Sequence, residues 1–344
     1  MAVSVLAVVI GCRSAGTVDR PTPVSSEAAR ETDERTQAEV RQRLAQGDFA
    51  GAVAPLRELA KRNPNDTETL TMLGTCVLRS PDPRRFADQA RKELTADPND
   101  VVALTVAAAA FTGPELQKER LDVMKRLAER RPDDPLVRLD LAVEYVAAHQ
   151  YDLARPLLDR MIEQKPDEPM GYLLRGRITL EEASTDEALR RAETDLKTAI
   201  RLRPTMATAH LSLGRIALRR NRPEAAIKAF ETAYRHQPNS GEILYERART
   251  YRLLGNAEKA NSAEKALRRY RELEMRSATL VTRCGAFPDD FELHLETVRA
   301  LAEKGDYQRA APFLRRAMQL RPDDDRTRRL MEDLRRRAAQ GAGS

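Results

Sequence analysis

Residues 204–238, PTMATAHLSLGRIALRRNRPEAAIKAFETAYRHQP, contain the pattern that decides the fold. A proline stands at each end, and proline does not continue a helix because it lacks an amide hydrogen and crowds the preceding turn. Apolar residues between the prolines recur every three or four positions, which is typical of two amphipathic helices. Gly214 lies midway along the first helix, where its size lets a partner approach closely. Pro223 follows the turn as an early residue of the second helix, whose inner face consists of Ala226, Phe230 and Ala233.

The same spacing of prolines extends in both directions along the chain. Prolines occur in matching contexts at Pro64, Pro98, Pro132, Pro166, Pro204, Pro238, Pro288 and Pro322. Five of the seven intervals between them are 34 residues, and the other two are 38 and 50 residues. The Asp or Asn that usually follows each proline can cap the next helix. The spacing therefore predicts about eight helix hairpins, each of which must bury its apolar face against the next.

The composition favours helices stacked in thin layers. Only 4% of the 344 residues are aromatic and none is Trp, so one thick globular core would be hard to fill. Ala, Leu, Arg and Glu dominate, and all are good helix formers. No sustained alternation of apolar and polar residues indicates strands. The net charge is +6, but 59 basic residues are interleaved with 53 acidic ones. This is a solvated, mixed-sign surface, and no nucleic-acid partner is expected.

The hairpin motif resembles the tetratricopeptide repeat. That repeat has Leu-Gly and then an aromatic residue in its first helix, and Ala, a large apolar residue, Ala and Pro in its second. The seventh repeat of this chain matches with Ala248, Tyr251, Gly255 and Ala260. The second and third repeats depart most from the pattern, because Phe86 and Arg120 replace the small residue expected early in the second helix.

The resemblance covers residues 33–322 and implies an all-α, right-handed superhelical solenoid of about eight hairpins. It also implies a scaffold that binds other proteins and is not an enzyme. Beyond the last proline, residues 323–338 are predicted to form an amphipathic capping helix, which such arrays need for solubility. Residues 339–344 are expected to be a disordered tail.

The amino-terminal residues 1–11 are predicted to be a signal peptide of the lipoprotein type. The apolar run AVSVLAVVI at 2–10 is too short to span a bilayer and precedes small residues. Residues 9–12, VIGC, resemble the bacterial lipobox, in which the Cys becomes the acylated amino terminus. This implies lipidation of Cys12, a flexible linker at 12–32, and a location in the cell envelope, either periplasmic or at the outer membrane. Because no Lys or Arg precedes the apolar run, an accidental apolar start on a cytoplasmic protein is the alternative.

The other two cysteines do not indicate a compartment. Cys76 and Cys284 lie in the second and seventh repeats. Stacked helices are about 8–10 Å apart, whereas a disulfide needs Cα atoms within about 7 Å, so no bridge between these residues is expected.

The 50-residue interval predicts an extended helix at about 257–284, since no Gly or Pro interrupts the sequence between Ala257 and Cys284. Its apolar positions continue past the regular repeat length. Two interpretations stay open: a docking or self-association element that could support a homo-oligomer, or a helix that folds back onto the array. The residues proposed for docking are Tyr270, Leu273, Leu280 and Val281.

The resemblance also indicates where a partner would bind, because tetratricopeptide arrays present the first helix of each pair on a concave groove. Arginines occupy the ninth position of four consecutive repeats, with two more nearby: Arg177, Arg215, Arg249 and Arg299, then Arg219 and Arg252. The third and fourth repeats instead offer Val102, Leu136, Leu139, Val143 and Val146. Guanidinium groups bind carboxylates bidentately, so we expect an extended partner segment with acidic and apolar side chains. Alternatively, these arginines pair with the chain's own Glu181, Glu242 and Glu303.

A search for chemistry identifies no catalytic, cofactor or metal site. The four histidines are His149, His210, His236 and His294. His210 and His294 occupy equivalent positions two repeats apart, which suits packing better than one metal site. Motifs of zinc sites, serine hydrolases and phosphate loops are missing from the sequence. Three functions follow in order of preference: a lipid-anchored envelope scaffold, a soluble cytoplasmic adaptor or co-chaperone, and an accessory domain of an enzyme.

Overall fold

A computed structural model describes residues 27–80, 83–112 and 114–342, and this part of the chain contains seventeen α-helices and no strand. They are α1 Glu27–Ala45, α2 Phe49–Arg62, α3 Thr67–Arg79, α4 Pro83–Ala96, α5 Val101–Ala110, α6 Gln117–Arg130, α7 Pro135–Ala147, α8 Tyr151–Gln164, α9 Pro169–Glu182, α10 Asp186–Leu202, α11 Ala207–Arg219, α12 Pro223–His236, α13 Gly241–Leu253, α14 Ala257–Ala286, α15 Phe291–Lys304, α16 Tyr307–Leu320 and α17 Asp325–Ala342.

The chain divides into two compact units, residues 1–161 and 162–344, with the boundary inside α8. Within each unit the helices contact one another in chain order. In unit 2, α9 packs on α10, α10 on α11 and α11 on α12, and the same succession runs to α17. The predicted all-α class, with helix hairpins stacked one after another, is confirmed within each unit.

Capping residues fix where the first helix of each pair begins. The side chains of Asp66, Asp100, Asp134, Ser240 and Asp290 each accept a hydrogen bond from a backbone amide in the first turn of the helix that follows. Each of these residues is the second after a repeat proline. The proline ends one hairpin, and the cap satisfies amides that have no partner at the start of the next.

The turns inside the hairpins have a common backbone conformation. The residue two positions after the first helix ends has a positive φ in four of the described hairpins: 72° at Gly47, 56° at His149, 55° at Asn221 and 68° at Gly255. A left-handed residue at this position reverses the chain and satisfies the last carbonyls of the helix. Glycine is therefore one solution for the turn, and the chain also uses Asn and His.

In unit 1, the core is built around α5. All of its residues except Val101 are buried, and five of its ten residues are alanine. Because these side chains are small, α3 lies close beside α5, and α4 and α6 also contact α5. The unusual Arg120 of α6 is buried too, and its guanidinium lies 3.1 Å from the carboxylate of Glu144 in α7. Burial raises the pKa of Glu144, and the charge of Arg120 opposes that shift.

In unit 2, the sixth repeat has the packing that its sequence predicts. The ring of Phe230 is fully buried together with Leu211, Ala226, Ala233 and Ile243. A Cβ atom placed on Gly214 would lie 2.3 Å from that ring. The glycine thus makes room for the largest side chain of the hairpin core.

The four extra residues of the fifth repeat lengthen its helices and leave the turn unchanged. Its helices α9 and α10 have 14 and 17 residues, whereas α11 and α12 of the next repeat have 13 and 14. The turn between the helices is three residues in both repeats.

The extra residues of the seventh repeat form part of one continuous helix. With 30 residues, α14 is more than twice as long as α12, which has 14. Its amino-terminal half packs on α13, and its carboxyl-terminal half packs on α15. The two segments meet at Tyr270, whose ring lies against Gly241 at the start of α13 and 5.8 Å below the ammonium of Lys304 at the end of α15. The helix therefore holds both the seventh and the eighth hairpins.

The array ends in α17, which packs on α15 and α16. Leu334 is buried and Leu330 partly buried against the core of the eighth repeat. The helix reaches Ala342, into the segment expected to be a disordered tail. At the other end, α1 begins at Glu27, inside the segment expected to be a linker. Both terminal helices therefore extend beyond the limits set by the proline pattern.

We expect Gly214→Ala to destabilise unit 2 by about 1–3 kcal/mol, because the added methyl group has to displace the buried ring of Phe230. Chemical denaturation followed by circular dichroism measures the change. The matched control is Gly285→Ala in α14, where nothing lies within 4 Å of the added carbon. A loss of stability equal in both variants, or no rescue of Gly214→Ala by Phe230→Leu, would contradict this packing.

Candidate functional site

The arginines of the ninth repeat position lie on the first helix of each pair in unit 2. Arg177, Arg249 and Arg299 are exposed, on α9, α13 and α15. Arg177 and Arg299 form no ion pair with any residue in the described ranges. Arg249 has one distant partner, the carboxylate of Glu246 at 3.8 Å. Three of the four guanidinium groups therefore face solvent with little or no charge compensation.

The fourth, Arg215 of α11, is neutralised by the next repeat. Its guanidinium lies 2.7 Å from the carboxylate of Glu242 and 3.1 Å from that of Glu246, both on α13. The Glu246 side chain is only 8% exposed. The alternative interpretation of internal pairing is therefore right for Arg215, and Glu242 is one of the carboxylates that it named.

The two flanking arginines also have intramolecular partners. Arg219 donates hydrogen bonds to the backbone carbonyls of Leu180 and Ala183, which end α9. Arg252 lies 2.6 Å from the carboxylate of Glu264 on α14. Glu303, expected to pair within the groove, instead contacts Arg269 at 2.9 Å. Arg219 therefore links α11 to α9, and Arg252 links α13 to α14.

The apolar part of the predicted groove lies in unit 1, and two of its members are core residues. Val102 and Leu139 are each 2% exposed, so neither offers surface to a partner. Leu136, Val143 and Val146 of α7 are partly exposed. The prediction was wrong for the buried pair because the repeat position defines which way a side chain points, while the neighbouring helix decides whether it is covered.

The apolar residues of the extended helix largely have partners within unit 2. Leu280 is buried with Cys284 against Leu293 and Ala300 of α15. Val281 packs partly buried against the core of the eighth repeat. Leu273 lines an open cleft of about 510 Å³ together with Lys265, Arg268, Arg269, Glu272, Arg276 and Glu303. Leu280 is thus a core residue, and Leu273 is the one uncharged residue among those that line this cleft.

Sequence reasoning missed two exposed apolar residues of α13. Tyr245 is 49% exposed and Leu253 61% exposed, and both lie on the helix face that carries Arg249 and Arg252. The signal was present in the sequence: Tyr245 occupies the repeat position of Leu211, and the long insertion follows this helix. Whether Tyr245 is exposed depends on where α15 lies, and the sequence pattern alone does not give that position.

Behind this face, α13 is held by a polar cluster with α12. The hydroxyl of Tyr251 donates to the carboxylate of Glu231 at 2.7 Å, and Arg247 contacts the same carboxylate at 2.8 Å. The Arg247 guanidinium also stacks 3.7 Å from the centre of the Tyr234 ring. Burial and the Glu231 charge raise the pKa of Tyr251 to about 12. Tyr251 therefore stays a protonated donor at physiological pH, and the cluster positions α13.

The histidines of equivalent position make equivalent local contacts. A ring nitrogen of His210 lies 2.9 Å from the carbonyl of Pro204, and one of His294 lies 2.9 Å from that of Pro288. Each imidazole tethers the proline turn to the helix that follows it. In the part of the chain that the structure describes, no group of three His, Cys, Asp or Glu side chains could hold a metal ion.

The amino-terminal prediction concerns residues that the structure does not describe: the signal peptide at 1–11 and Cys12 lie outside the described ranges. Among the described helices, none combines the length and apolar character needed to cross a bilayer. Cys76 and Cys284 are both buried free thiols, and burial raises the pKa of Cys76 to about 11.

The family follows from comparison with known repeats. A tetratricopeptide repeat model matches residues 38–101, 187–241, 212–274 and 252–325, which together make up more than half of the chain. A second tetratricopeptide repeat model matches residues 121–178. The chain belongs to the tetratricopeptide repeat family. No curated protein matches it over its sequence.

Solved structures with similar folds share little sequence with this chain. Cut9, in the crystal structure of the APC/C hetero-tetramer Cut9-Hcn1, is 12% identical with a TM-score of 0.49; the match covers 90% of this chain and 57% of that one. Human IFIT1, a dimer with m7Gppp-AAAA, is 15% identical with a TM-score of 0.45, covering 83% and 80%. MamA protein is 16% identical with a TM-score of 0.38, covering 57% and 94%.

Membership of this family defines the broad class of activity. Tetratricopeptide arrays are protein-interaction scaffolds, and their fold is generally non-catalytic.

We expect Arg215→Ala to destabilise unit 2 by about 2 kcal/mol, because it leaves the buried carboxylate of Glu246 without its main partner. Arg177→Ala is the matched control, since this arginine has the same repeat position without an ion pair, and its effect should stay within about 0.5 kcal/mol. Denaturant titration of each variant gives both values. Equal effects, or no recovery in Arg215→Ala combined with Glu246→Gln, would disprove the role assigned to the pair.

Proposed function

We propose that this protein is a non-catalytic scaffold that binds an acidic, extended partner segment along the first-helix face of unit 2. One observation carries the proposal: Arg177, Arg249 and Arg299 remain exposed at the same repeat position. In contrast, Arg215 is compensated by carboxylates of the neighbouring helix. Guanidinium groups displayed at a regular repeat position suit a partner with carboxylates distributed along its length.

The energetics favour recognition by several contacts of modest strength. Each exposed guanidinium can form two charge-assisted hydrogen bonds with a carboxylate. A single exposed pair contributes only about 0–1 kcal/mol because solvent and salt screen it. Useful affinity therefore requires several arginines to act together, with apolar contacts beside them. Tyr245 and Leu253 supply exposed apolar surface on the same helix as Arg249.

The location of the protein in the cell is part of the same proposal. The resemblance of residues 9–12 to a lipobox supports lipidation at Cys12 and a scaffold attached to a bacterial envelope membrane. In this arrangement the segment after Cys12 connects the anchor to α1. The alternative is a soluble cytoplasmic adaptor or co-chaperone with the same partner-binding face.

The groove is tested by selecting peptides from a random display library on purified protein. The wild type should enrich sequences with several acidic residues interspersed with apolar ones, and their binding should weaken as salt increases. Arg177→Glu combined with Arg299→Glu should abolish that enrichment, because like charges then face the acidic peptides. The matched control is Arg201→Glu with Arg271→Glu, which changes two exposed arginines on second helices.

Two outcomes would count against the groove. Enrichment of acidic peptides by the Arg177→Glu, Arg299→Glu variant would place recognition elsewhere on the protein. Loss of enrichment in the control variant would show that net charge, and not the position of the arginines, determines the selection.

The anchor is tested by expressing the full chain in a bacterial host with a radiolabelled fatty acid. The wild type should incorporate the label and fractionate with membranes, and Cys12→Ala should do neither. Cys76→Ala provides the control, because this buried thiol lies in the core of unit 1. An unlabelled wild-type chain would remove the anchor and favour the cytoplasmic alternative.

A further inference from the structure

In unit 2, one repeat position is buried in every hairpin except the seventh. The fifth residue of the first helix is Leu173 in α9, Leu211 in α11 and Leu295 in α15, and these are 4%, 3% and 0% exposed. The equivalent residue of α13 is Tyr245, which is 49% exposed. The exposure of a large aromatic side chain at a packing position indicates that a neighbour is displaced.

The displaced neighbour is α15, which lies further along the extended helix. At the regular junction between the sixth and seventh repeats, Arg247 of α13 contacts Glu231, the ninth residue of α12. The equivalent residue of α15 is Thr297, whose hydroxyl lies 3.1 Å from the thiol of Cys284, the twenty-eighth residue of α14. The contact thus lies 19 residues further along its helix (28 − 9), and α14 is 16 residues longer than α12. At 1.5 Å per residue, α15 is shifted by about 24–28 Å along α14.

This displacement leaves part of α13 uncovered. Tyr245, Arg249, Arg252 and Leu253 are exposed on one side of that helix, and we call these four residues the open face of α13. The carboxyl-terminal end of α15 reaches only the start of α13, where a Cβ atom on Gly305 would lie 2.5 Å from the side chain of Asn239. The rest of α13, toward Leu253, lies beyond that end.

The preceding repeat shows what kind of helix fits such a face. On α11, Leu211 packs against Ile243 of α13, and Arg215 is paired with Glu242 and Glu246. Thus α13 covers α11 with an apolar side chain and with two carboxylates spaced four residues apart. The open face of α13 presents the same two positions, as Tyr245 and Arg249, without those complements.

We propose that the open face of α13 docks an amphipathic helix of a partner protein. This helix carries two carboxylates at positions i and i+4 and a large apolar residue at i+1, as α13 itself does with Glu242, Glu246 and Ile243. The charge of the face favours an acidic occupant, since the Arg249 side chain is 56% exposed and its carboxylate partner Glu246 lies 3.8 Å away. Arg252 is also exposed but is already paired with Glu264 on α14. This inference rests on the proposed scaffold function and names one element of the partner.

The probe is a hydrocarbon-stapled helical peptide with the sequence of residues 241–253, acetylated, amidated and changed by R247Q, R249Q and R252Q to remove its own basic charges. Fluorescence anisotropy measures its binding to the full chain. We expect saturable binding that weakens as salt increases. A second peptide that also carries E242Q and E246Q should bind at least about 10-fold more weakly, because it lacks the paired carboxylates.

Variants of the protein locate the site. Tyr245→Glu with Arg249→Glu should reduce binding of the first peptide by about 10-fold or more. Both residues are exposed, so this variant should keep the helical signal and melting temperature of the wild type. Arg201→Glu with Arg271→Glu, which alters other exposed arginines, should leave binding unchanged.

The experiment also separates this inference from the proposed groove. The Arg177→Glu, Arg299→Glu variant removes two groove arginines but leaves the open face intact, so it should still bind the stapled peptide. If the library selection fails but the stapled peptide binds, only the groove proposal is contradicted. If the selection succeeds but the peptide does not bind, only the docking proposal is contradicted.

Three results would overturn the docking proposal: no saturable binding, equal affinity for the two peptides, or unchanged binding by Tyr245→Glu with Arg249→Glu. A fourth concerns a different occupant. If the wild type forms a dimer in sedimentation velocity that this variant abolishes, a second copy of the chain covers the face and the partner helix does not.

Discussion

The structure depends on one constraint: a helix hairpin of about 30 residues cannot bury its own apolar face, so it is stable only against its neighbours. Phe230 illustrates this, because its ring is enclosed by residues of α11, α12 and α13 together. Each layer of the core is consequently shared between adjacent repeats. The repeat proline determines where one hairpin ends, and the capping side chain two residues later determines where the next helix begins.

This constraint also determines where variation is tolerated. The additional residues of the fifth repeat lengthen α9 and α10 while the turn stays the same, and both helices remain packed on α11. The larger addition in α14 moves the next hairpin along the helix, and α15 finds its contacts on a later segment. Tyr270, Lys304 and Glu274 join the two segments through a stacked ammonium and an ion pair. Burial raises the pKa of Tyr270, so its hydroxyl remains a donor there.

The spacing of prolines was sufficient to predict the class of fold and the number of hairpins, because capping and helix termination are local effects. The site could be predicted only in part. The exposure of Arg177 and Arg299 follows from their repeat position, whereas the neutralisation of Arg215 depends on two glutamates of the next helix. Val102 and Leu139 were assigned to a surface but are buried, since burial depends on which helix lies alongside. Tyr245 was missed for the opposite reason, because its expected neighbour is displaced.

The length of α14 limits which insertions and deletions this region can accept during evolution. A residue added to or removed from a helix turns everything beyond it by about 100° and moves it by 1.5 Å. Because α13 and α15 pack on different segments of the same helix, a single deletion between Tyr270 and Ser277 would rotate the buried stripe formed by Ser277, Leu280 and Cys284 away from α15. Changes in length are compatible with both contacts only when they restore the helical phase, as a change of about seven or eighteen residues does. A change in the length of α14 therefore keeps both contacts only when it adds or removes about a whole number of helical turns.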